Sequence, residues 1–323
     1  MVPPMSGLPL VTVLVPTFNR PALLRQAVLS ACRQSHHGLE ILVLDDHSTD
    51  ETAGVARSLA EADPRVRHIR HPKNLGIVGN WRAGFGLAKG RYLGILHDDD
   101  LWDADFVATL MRPLEADPGL VLSFCDHKVI DADGSDDAAM TEEAARRFGR
   151  DRLPEGKLAD FPRMALVDLS VPVGACLFRR DRLREDMLED GARGAIDAWL
   201  VYSCVKTGLG AWFEPRRLMS YRTGVGGMSG SAPVAMCEGH FYRYSRILAD
   251  PAMADIHPAI RWRQADTCYG YGVAMVLRGE NATGRAQLWN AWRASRSPRS
   301  LIVLALSFGG PIGRRLLRAL RRP

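Results

Sequence analysis

The first hundred residues alternate between short apolar runs and longer stretches whose apolar residues recur with a helical period. The apolar runs, Val11–Val15, Leu39–Leu44 and Tyr92–Leu96, are rich in β-branched or aromatic residues, and each predicts a buried strand. The stretches between them predict amphipathic helices. Strands that alternate with helices in this way predict an α/β fold, with a mostly parallel sheet covered by helices on both faces.

Polar residues stand at the carboxyl ends of these strands. Thr17 follows the first run, Asp45 ends the second, and Asp98 comes shortly after the third. Because the carboxyl ends of parallel strands meet at one edge of the sheet, we expect these side chains to line one ligand cleft. Carboxylates and loop amides at such an edge suit a nucleoside, a metal ion and phosphate groups.

Three consecutive acidic residues, Asp98-Asp99-Asp100, follow the third strand. Adjacent carboxylates repel one another, and holding them in a partly dry cleft is costly unless a cation or several hydrogen bonds offset the repulsion. A divalent ion with oxygen ligands would meet this need. The alternative is a solvated turn in which one of the acids caps the helix predicted near Phe106.

The pattern becomes less regular further along the chain. Residues 135–166 are charged and mixed, which is typical of a variable connection. A helix is predicted to begin near Asp197, and the glycine-rich segment 224–229 predicts a loop able to fold over a ligand. We therefore expect a sheet domain over residues 1–235, divided into a first half of about 1–130 and a second half of about 131–235. Residues 236–323 are expected to form a C-terminal helical region.

The composition of the 323 residues, 46% hydrophobic and 24% charged, is that of a soluble globular protein. No apolar run approaches the roughly 20 residues needed to span a bilayer, and the N-terminus lacks a secretory pattern. The six cysteines are scattered, without a C-x-x-C pair, and are best explained as reduced thiols. These features predict a cytoplasmic protein, and none of them predicts a nucleic-acid partner or an oligomeric state.

The net charge of +5 is unevenly distributed. Nine arginines, no lysine and no acidic residue lie between Arg285 and the C-terminus, so the rest of the chain is net acidic. Residues 312–322 predict a basic amphipathic helix. Such a helix contacts either the inner face of a membrane or an acidic partner. Alternatively, it packs on its own domain and leaves its arginine face in water.

The ordered set of motifs resembles that of the family-two inverting glycosyltransferases, which are metal-dependent and have the nucleotide-sugar-binding GT-A fold. The resemblance runs from Val11 to about Ser229. Its motifs are Val15-Pro16-Thr17-Phe18-Asn19-Arg20, Asp45-Asp46-His47-Ser48, Asn74-Leu75-Gly76 with Asn80, His97-Asp98-Asp99-Asp100-Leu101-Trp102, Arg179-Arg180, and Asp197 followed by Gly208. It implies a nucleotide-diphosphate sugar donor, UDP- or dTDP-linked, and transfer of a hexosyl or deoxysugar group.

The resemblance also implies contacts to the nucleotide. Pro16, Thr17 and Asp45 would surround the nucleoside base, Asn74 would lie near the nucleotide, and Asp98 would face the ribose. These five residues are the nucleotide-sugar-binding set that the resemblance implies.

The same resemblance implies a metal site and a catalytic residue. Asp99, supported by Asp100, would hold Mn²⁺ or Mg²⁺, and Asp197 would be the general base that deprotonates an acceptor hydroxyl. The chain departs from the family at two places. Ile196 stands where many members have Glu, and Tyr221-Arg222-Thr223-Gly224 lacks the histidine of the usual Tyr-Arg-x-His.

Two other classes of protein share some of these features. A sugar nucleotidyltransferase uses similar carboxylates, but no G-x-G-x-R-type loop follows the first strand. A nucleotide-sugar-binding protein without catalysis would have no need of Asp197. Neither a P-loop nor a dinucleotide fingerprint is present. The sequence names neither the sugar nor the acceptor hydroxyl.

Overall fold

The protein, seen here in a computed structural model, is described over residues 8–226 and 233–319. These residues divide into two compact units. The sheet unit comprises residues 8–190 and 196–226, and the helical unit comprises residues 191–195 and 233–319.

Within the described residues, nine strands form a single sheet in the sheet unit. The strands are β1 (Val11–Thr17), β2 (Leu39–Asp45), β3 (Val66–Arg70), β4 (Tyr92–Ile95), β5 (Leu101–Trp102), β6 (Leu120–Ile130), β7 (Gly156–Lys157), β8 (Cys176–Arg179) and β9 (Gly210–Arg222). The helices of this unit are α1 (Pro21–Cys32), α2 (Thr52–Ala62), α3 (Gly76–Leu87), α4 (Phe106–Ala116), α5 (Ala138–Arg147), α6 (Phe161–Leu166) and α7 (Ile196–Val205).

The strands are ordered β3-β2-β1-β4-β8-β6-β9-β5, and β7 pairs with β9. In the half β3-β2-β1-β4 every pairing is parallel, as the alternation of strands and helices predicted. The other half is mixed, because β8 runs antiparallel to both β4 and β6 whereas β6 and β9 are parallel. The predicted α/β fold is therefore confirmed, with a parallel half and a mixed half.

The parallel half is apolar because helices cover both of its faces. β2 is buried at every position, and β1 at every position except Pro16. Strands buried on both faces have continuous apolar sequences rather than alternating ones, which explains the uninterrupted runs in the sequence. The register places Thr17 beside Asp45, so the polar ends of β1 and β2 meet at one edge of the sheet.

The alternative explanation for the acidic run, that one of its members caps the next helix, is wrong. α4 begins at Phe106, and its N-cap residue is Asp105, whose side chain makes no capping hydrogen bond. Asp98, Asp99 and Asp100 have other partners, which are described below. The irregular segment 135–166 contains α5, β7 and α6.

The helical unit has its own small core. Its helices are α8 (Pro233–Ala249), α9 (His257–Arg278), α10 (Asn281–Ser295), α11 (Pro298–Leu306) and α12 (Gly310–Ala319). Val276, Leu288, Val303 and Leu317 form the centre of this core. A Cβ at Gly272 of α9 would lie 2.9 Å from the carbonyl oxygen of Gly284 in α10, so glycine permits these two helices to approach closely. Among the described residues, no helix is long and apolar enough to cross a membrane.

Candidate active site

The carboxyl ends of β1 and β4 meet in a hydrogen bond between Thr17 and Asp98. The Thr17 hydroxyl donates to Oδ2 of Asp98 over 2.7 Å. β1 and β4 are neighbouring parallel strands, so the side chain that ends one strand reaches the acid that follows the other. The sequence predicted this convergence of strand ends, and the two side chains are in contact.

Arg20 joins the two acids Asp98 and Asp99. Its Nη1 atom donates to Oδ1 of Asp98 over 3.2 Å and to Oδ2 of Asp99 over 2.6 Å. Its Nη2 atom donates to the carbonyl oxygen of Gly226 over 2.8 Å. Burial raises the pKa of Asp98 to about 6, with a further contribution from Asp99, even though the cation of Arg20 acts in the opposite direction.

Sequence reasoning did not select Arg20 as a site residue. Two signals were available, because Arg20 ends the first motif of the resemblance and lies in the loop that follows β1, at the same sheet edge as the acids. Its pairing with both carboxylates is a tertiary contact across some eighty residues of chain. The guanidinium of Arg20 thus supplies a positive charge to the acidic cluster formed by Asp98 and Asp99.

The chemistry of this cluster fits a divalent ion that shares its coordination with a phosphate. Asp98 and Asp99 converge on one positive group, so their oxygens already face a common point. No group of three or more His, Cys, Asp or Glu side chains able to hold a metal occurs among the described residues. Mg²⁺ typically binds through one or two carboxylates together with substrate phosphates, and two carboxylates are what this cluster offers.

Asp100 points to different partners from those of Asp98 and Asp99. It is almost fully buried, accepts a hydrogen bond from the backbone N–H of Arg222 over 3.0 Å, and lies 3.3 Å from Nδ1 of His97. Arg222 also donates through Nε to the carbonyl oxygen of Asp99 over 2.9 Å. Asp100 therefore fixes the acidic run to Arg222 at the end of β9.

His97 connects this run to Asp197. Its Nε2 atom lies 3.5 Å from Oδ1 of Asp197, and its ring stacks near Trp81 with the centroids 6.2 Å apart. Burial lowers the pKa of His97, but the carboxylates of Asp197 and Asp100 outweigh that effect and raise the pKa well above its ordinary value. The imidazolium ion is thereby stabilised between two carboxylates.

Asp197 lies in the first turn of α7, as the sequence predicted. The N-terminal end of the helix carries a partial positive charge, which is close to a carboxylate at this position. Although Oδ1 is buried, the side chain as a whole is 48% exposed. Asp197 is thus held on one side by His97 and accessible on the other, an arrangement that suits a proton acceptor for an incoming hydroxyl.

Asp45 is fully buried at the end of β2. Its Oδ1 atom accepts from the backbone N–H of Ser48 over 2.8 Å, and Oδ2 lies 3.3 Å from Nε2 of His68 and 3.6 Å from Nε of Arg70. Burial alone would raise the pKa of Asp45, but the hydrogen bonds from Ser48 and His68 lower it. Both carboxylate oxygens of Asp45 thus have partners within the sheet unit.

The two remaining predicted residues shape the backbone near the strand ends. Asn74 donates through Nδ2 to the carbonyl oxygen of Asp46 over 3.2 Å and accepts from the N–H of Gly76 over 3.0 Å, which fixes the turn before α3. Pro16 lies half-buried in β1 beside Leu44. Of the predicted residues, Thr17 contacts Asp98 directly, and Asp98 and Asp99 share Arg20. Asp100 and Asp197 both contact His97.

The loop predicted over residues 224–229 is described in part. Residues 224–226 follow β9, and the contact of Gly226 with Arg20 ties them to the acidic cluster. Residues 227–229 lie outside the described residues. At the position where the resemblance led us to expect a histidine, Gly224 has a φ of +82°, a conformation that side chains with a Cβ rarely adopt.

Comparison with known proteins matches the part of the chain that contains Thr17, Arg20 and the acidic run, whereas Asp197 lies beyond that part. Residues 12–168 match the model of the family described as "Glycosyl transferase family 2". A GalNAc(5)-diNAcBac-PP-undecaprenol beta-1,3-glucosyltransferase of Campylobacter jejuni is 37% identical over 106 residues, which are 32% of this chain and 34% of that protein. A chondroitin synthase of Pasteurella multocida is 33% identical over 128 residues, which are 40% of this chain and 13% of that protein. The match therefore spans about a third of the first relative and much less of the second.

Two solved structures share the fold. The mannosyltransferase PcManGT from Pyrobaculum calidifontis, in complex with GDP-Man and Mn²⁺, superposes with a TM-score of 0.60 at 19% identity, covering 97% of this chain and 84% of that chain. TarS 1-349 of S. aureus, in complex with UDP-GlcNAc, superposes with a TM-score of 0.65 at 15% identity, covering 97% of this chain and 91% of that chain. At these identities the likeness establishes the fold, which is of the GT-A glycosyltransferase type.

Proposed function

We propose that the protein, whose residues 12–168 match the model of glycosyl transferase family 2, transfers a sugar from a nucleotide-diphosphate sugar to an acceptor hydroxyl with inversion at the anomeric carbon. One observation carries this proposal. The carboxylates of Asp98 and Asp99 share the cation of Arg20, and the neighbouring His97 contacts a third carboxylate, the accessible one of Asp197. Leaving-group stabilisation and proton removal each require one of these parts.

In the proposed reaction, Asp197 takes the proton of the acceptor hydroxyl as the oxygen attacks the anomeric carbon. The half-exposed carboxylate and its contact with His97 support this role, because the contact keeps the ionised group aimed while leaving it open to an acceptor. A direct displacement inverts the anomeric centre and needs no covalent nucleophile. The bond to the diphosphate oxygen breaks as the new glycosidic bond forms.

The remaining proposed roles concern the donor. Asp99, with Asp100 supporting it, would hold Mn²⁺ or Mg²⁺ together with the phosphates of the donor, and Asp98 would face the ribose. When bound, the ion would neutralise negative charge that develops on the diphosphate. Pro16, Thr17, Asp45 and Asn74 are proposed to surround the nucleoside, although Asp45 would do so through the loop it orders, since both of its oxygens already have partners.

We further propose a pyrimidine nucleotide, UDP or dTDP, as the donor, with donor contacts from about residues 1–130 and acceptor contacts from about 131–235. The solved structures of the same fold carry GDP-Man and UDP-GlcNAc, so the fold accommodates more than one base. The Campylobacter relative is named for an undecaprenol-linked glycan, and a lipid-linked acceptor at the cytoplasmic face of a membrane is consistent with the basic C-terminal end.

The test is a screen of nucleotide sugars by thermal unfolding and by turnover. A ligand at 100 times its dissociation constant adds about 2.7 kcal/mol to the free energy of unfolding, so the right donor with Mn²⁺ should raise the melting temperature, and EDTA should remove the increase. Asp99→Asn should weaken metal-dependent donor binding. The matched control is Asp133→Asn, an exposed turn residue, which should bind as the parental protein does.

The outcomes separate the competing functions. Undiminished turnover in EDTA would rule out the metal role. Donor binding without transfer to any hydroxyl acceptor would indicate a non-catalytic binding protein. Production of a nucleotide sugar from a nucleoside triphosphate and a sugar phosphate, with release of pyrophosphate, would indicate a nucleotidyltransferase.

A further inference from the structure

The last two helices of the helical unit leave large apolar side chains in water. Ile302 of α11, Phe308 in the following turn, and Ile312 and Leu316 of α12 are between 49% and 73% exposed, and Leu301 is 39% exposed. Single exposed apolar residues are ordinary, but contiguous apolar patches mark interaction sites. We call the segment from Pro298 to Ala319 the basic hairpin.

The position of α12 explains why these side chains are not buried. Only part of the apolar side of α12 packs on the rest of the helical unit. Leu317 and Gly313 face inward, whereas Ile312 and Leu316 face water. At about 100° per residue, Ile312 and Leu316 lie about 40° apart, and Leu317 lies about 100° further round. An added Cβ at Gly313 would overlap the carbonyl oxygen of Leu306, so α12 is packed closely against the end of α11.

The sequence left two alternatives for this helix, contact with a membrane or packing on its own domain. The packing of α12 is compatible with both at once. One part of the apolar arc is packed on the unit, as an ordinary terminal helix would be, and the adjoining part is free. Arg315 and Arg318 are also exposed, on the side of α12 next to the exposed Ile312 and Leu316. Residues 320–322, which belong to the predicted 312–322 segment, lie outside the described residues.

The turn between the two helices repeats this combination of apolar and cationic groups. The guanidinium carbon of Arg285 lies 3.8 Å from the centroid of the Phe308 ring, and its Nη2 atom donates to the carbonyl oxygen of Ser307 over 2.9 Å. Arg299, at the start of α11, is also exposed. Because no acidic residue occurs from Arg285 to the C-terminus, nothing within this segment neutralises the arginines.

From these observations we propose that the basic hairpin docks on the surface of an anionic lipid bilayer. Ile302, Phe308, Ile312 and Leu316 would enter the boundary between headgroups and acyl chains, while Arg315 and Arg318 would contact anionic headgroups. A second copy of the chain fits less well, because pairing two such surfaces would bring two sets of arginines together. The proposal does not depend on the enzymatic function.

The test uses the full chain in sedimentation with vesicles of phosphatidylcholine alone and vesicles that also contain phosphatidylglycerol. The protein should bind the anionic vesicles, and added salt should weaken binding. Arg315→Gln with Arg318→Gln should weaken binding about 30-fold, since each near-surface cation contributes about fivefold. The control, Arg146→Gln with Arg147→Gln, removes the same charge from the exposed end of α5 and should bind as the parental protein does.

A second pair of variants tests the apolar part. Ile312→Ser with Leu316→Ser should weaken binding about tenfold or more, because two large side chains no longer leave water. Leu29→Ser with Met140→Ser, which alters apolar residues that are 37% and 44% exposed on α1 and α5, should have no effect. Circular dichroism and thermal unfolding establish that each variant is folded.

Three results would overturn the proposal. The first is failure of the full chain to bind anionic vesicles. The second is equal weakening by the hairpin and α5 charge variants, which would indicate attraction by net charge alone. The third is concentration-dependent dimerisation that Ile312→Ser with Leu316→Ser abolishes, in the absence of vesicle binding, which would make a second copy the occupant.

Discussion

The acidic sheet edge and the basic hairpin break the usual rule of burial in opposite directions. At the sheet edge, Asp98 is 7% exposed and Asp100 1% exposed, whereas in the hairpin Ile312 is 73% exposed. Burying a charge and exposing a large apolar side chain are both unfavourable for folding alone. Each region therefore retains residues that are better explained by contact with another molecule than by stability.

The two regions differ in how the unfavourable groups are accommodated. The acids of the sheet edge have internal partners, because Thr17 and Arg20 donate to Asp98 and the N–H of Arg222 donates to Asp100. Among the described residues, Ile312 and Leu316 have no comparable cover. The edge is thus organised before any ligand arrives, whereas the free apolar side chains of the hairpin would be covered only on contact with another surface.

The largest effect is expected at Asp197. Asparagine has nearly the same shape but cannot accept a proton as an ionised carboxylate does. Asp197→Asn should therefore lower the rate of sugar transfer by about 10² to 10⁴, the usual contribution of a positioned acid or base. Product formation measures the rate, and calorimetry with the nucleotide sugar should show nearly unchanged donor affinity.

Asp190→Asn is the matched control for this variant, because Asp190 is an exposed acid shortly before α7 that pairs with Arg82. It should transfer sugar at close to the parental rate. If Asp197→Asn folds, binds the donor and transfers sugar as fast as the parental protein, Asp197 is a first-turn acid of α7 and not the base.

The sequence predicted the sheet edge better than it predicted the partners of each acid. Strand ends can be predicted because apolar runs and their polar ends are local, and parallel strands bring those ends together. The contact of Asp100 with Arg222 joins residues more than 120 positions apart, and no local pattern encodes it. Arg20 was overlooked for the same reason.

The basic hairpin shows a different limit. Residues 312–322 were predicted to form a basic amphipathic helix, and α12, which covers 312–319 of them, is amphipathic. Periodicity alone does not tell how much of an apolar arc meets the core, since that depends on where the neighbouring helix lies. α11 makes the same point, because Val303 is buried whereas the neighbouring Leu301 and Ile302 are exposed.

Adjacent leucines of α12 test whether the hairpin really has a packed side and a free side. Leu317 is 3% exposed and Leu316 is 49% exposed. Leu317→Ala should lower the free energy of unfolding of the helical unit by about 2 to 4 kcal/mol, because it leaves a cavity. Leu316→Ala should change it by less than about 0.5 kcal/mol. Chemical denaturation followed by circular dichroism compares the two, and equal losses would contradict the proposed orientation of α12.

The smallest of these effects is expected at Arg20, and it tests whether the sheet edge carries its own cation. Arg20→Gln leaves Asp98 and Asp99 without the positive group they share. Removing one partner of a buried ion pair costs about 3 to 5 kcal/mol, but these side chains are between 10% and 20% exposed, so we expect a loss of about 1 to 2 kcal/mol in EDTA.

Mn²⁺ should restore more stability to the Arg20→Gln variant than it adds to the parental protein, because in the parental protein the ion competes with Arg20. Arg184→Gln removes an exposed pair with Asp186, and neither the stability of this control variant nor its response to Mn²⁺ should change appreciably. Thermal unfolding with and without Mn²⁺ measures both quantities; an equal gain from Mn²⁺ in the Arg20→Gln and parental proteins would mean that Arg20 and the metal do not share the carboxylates.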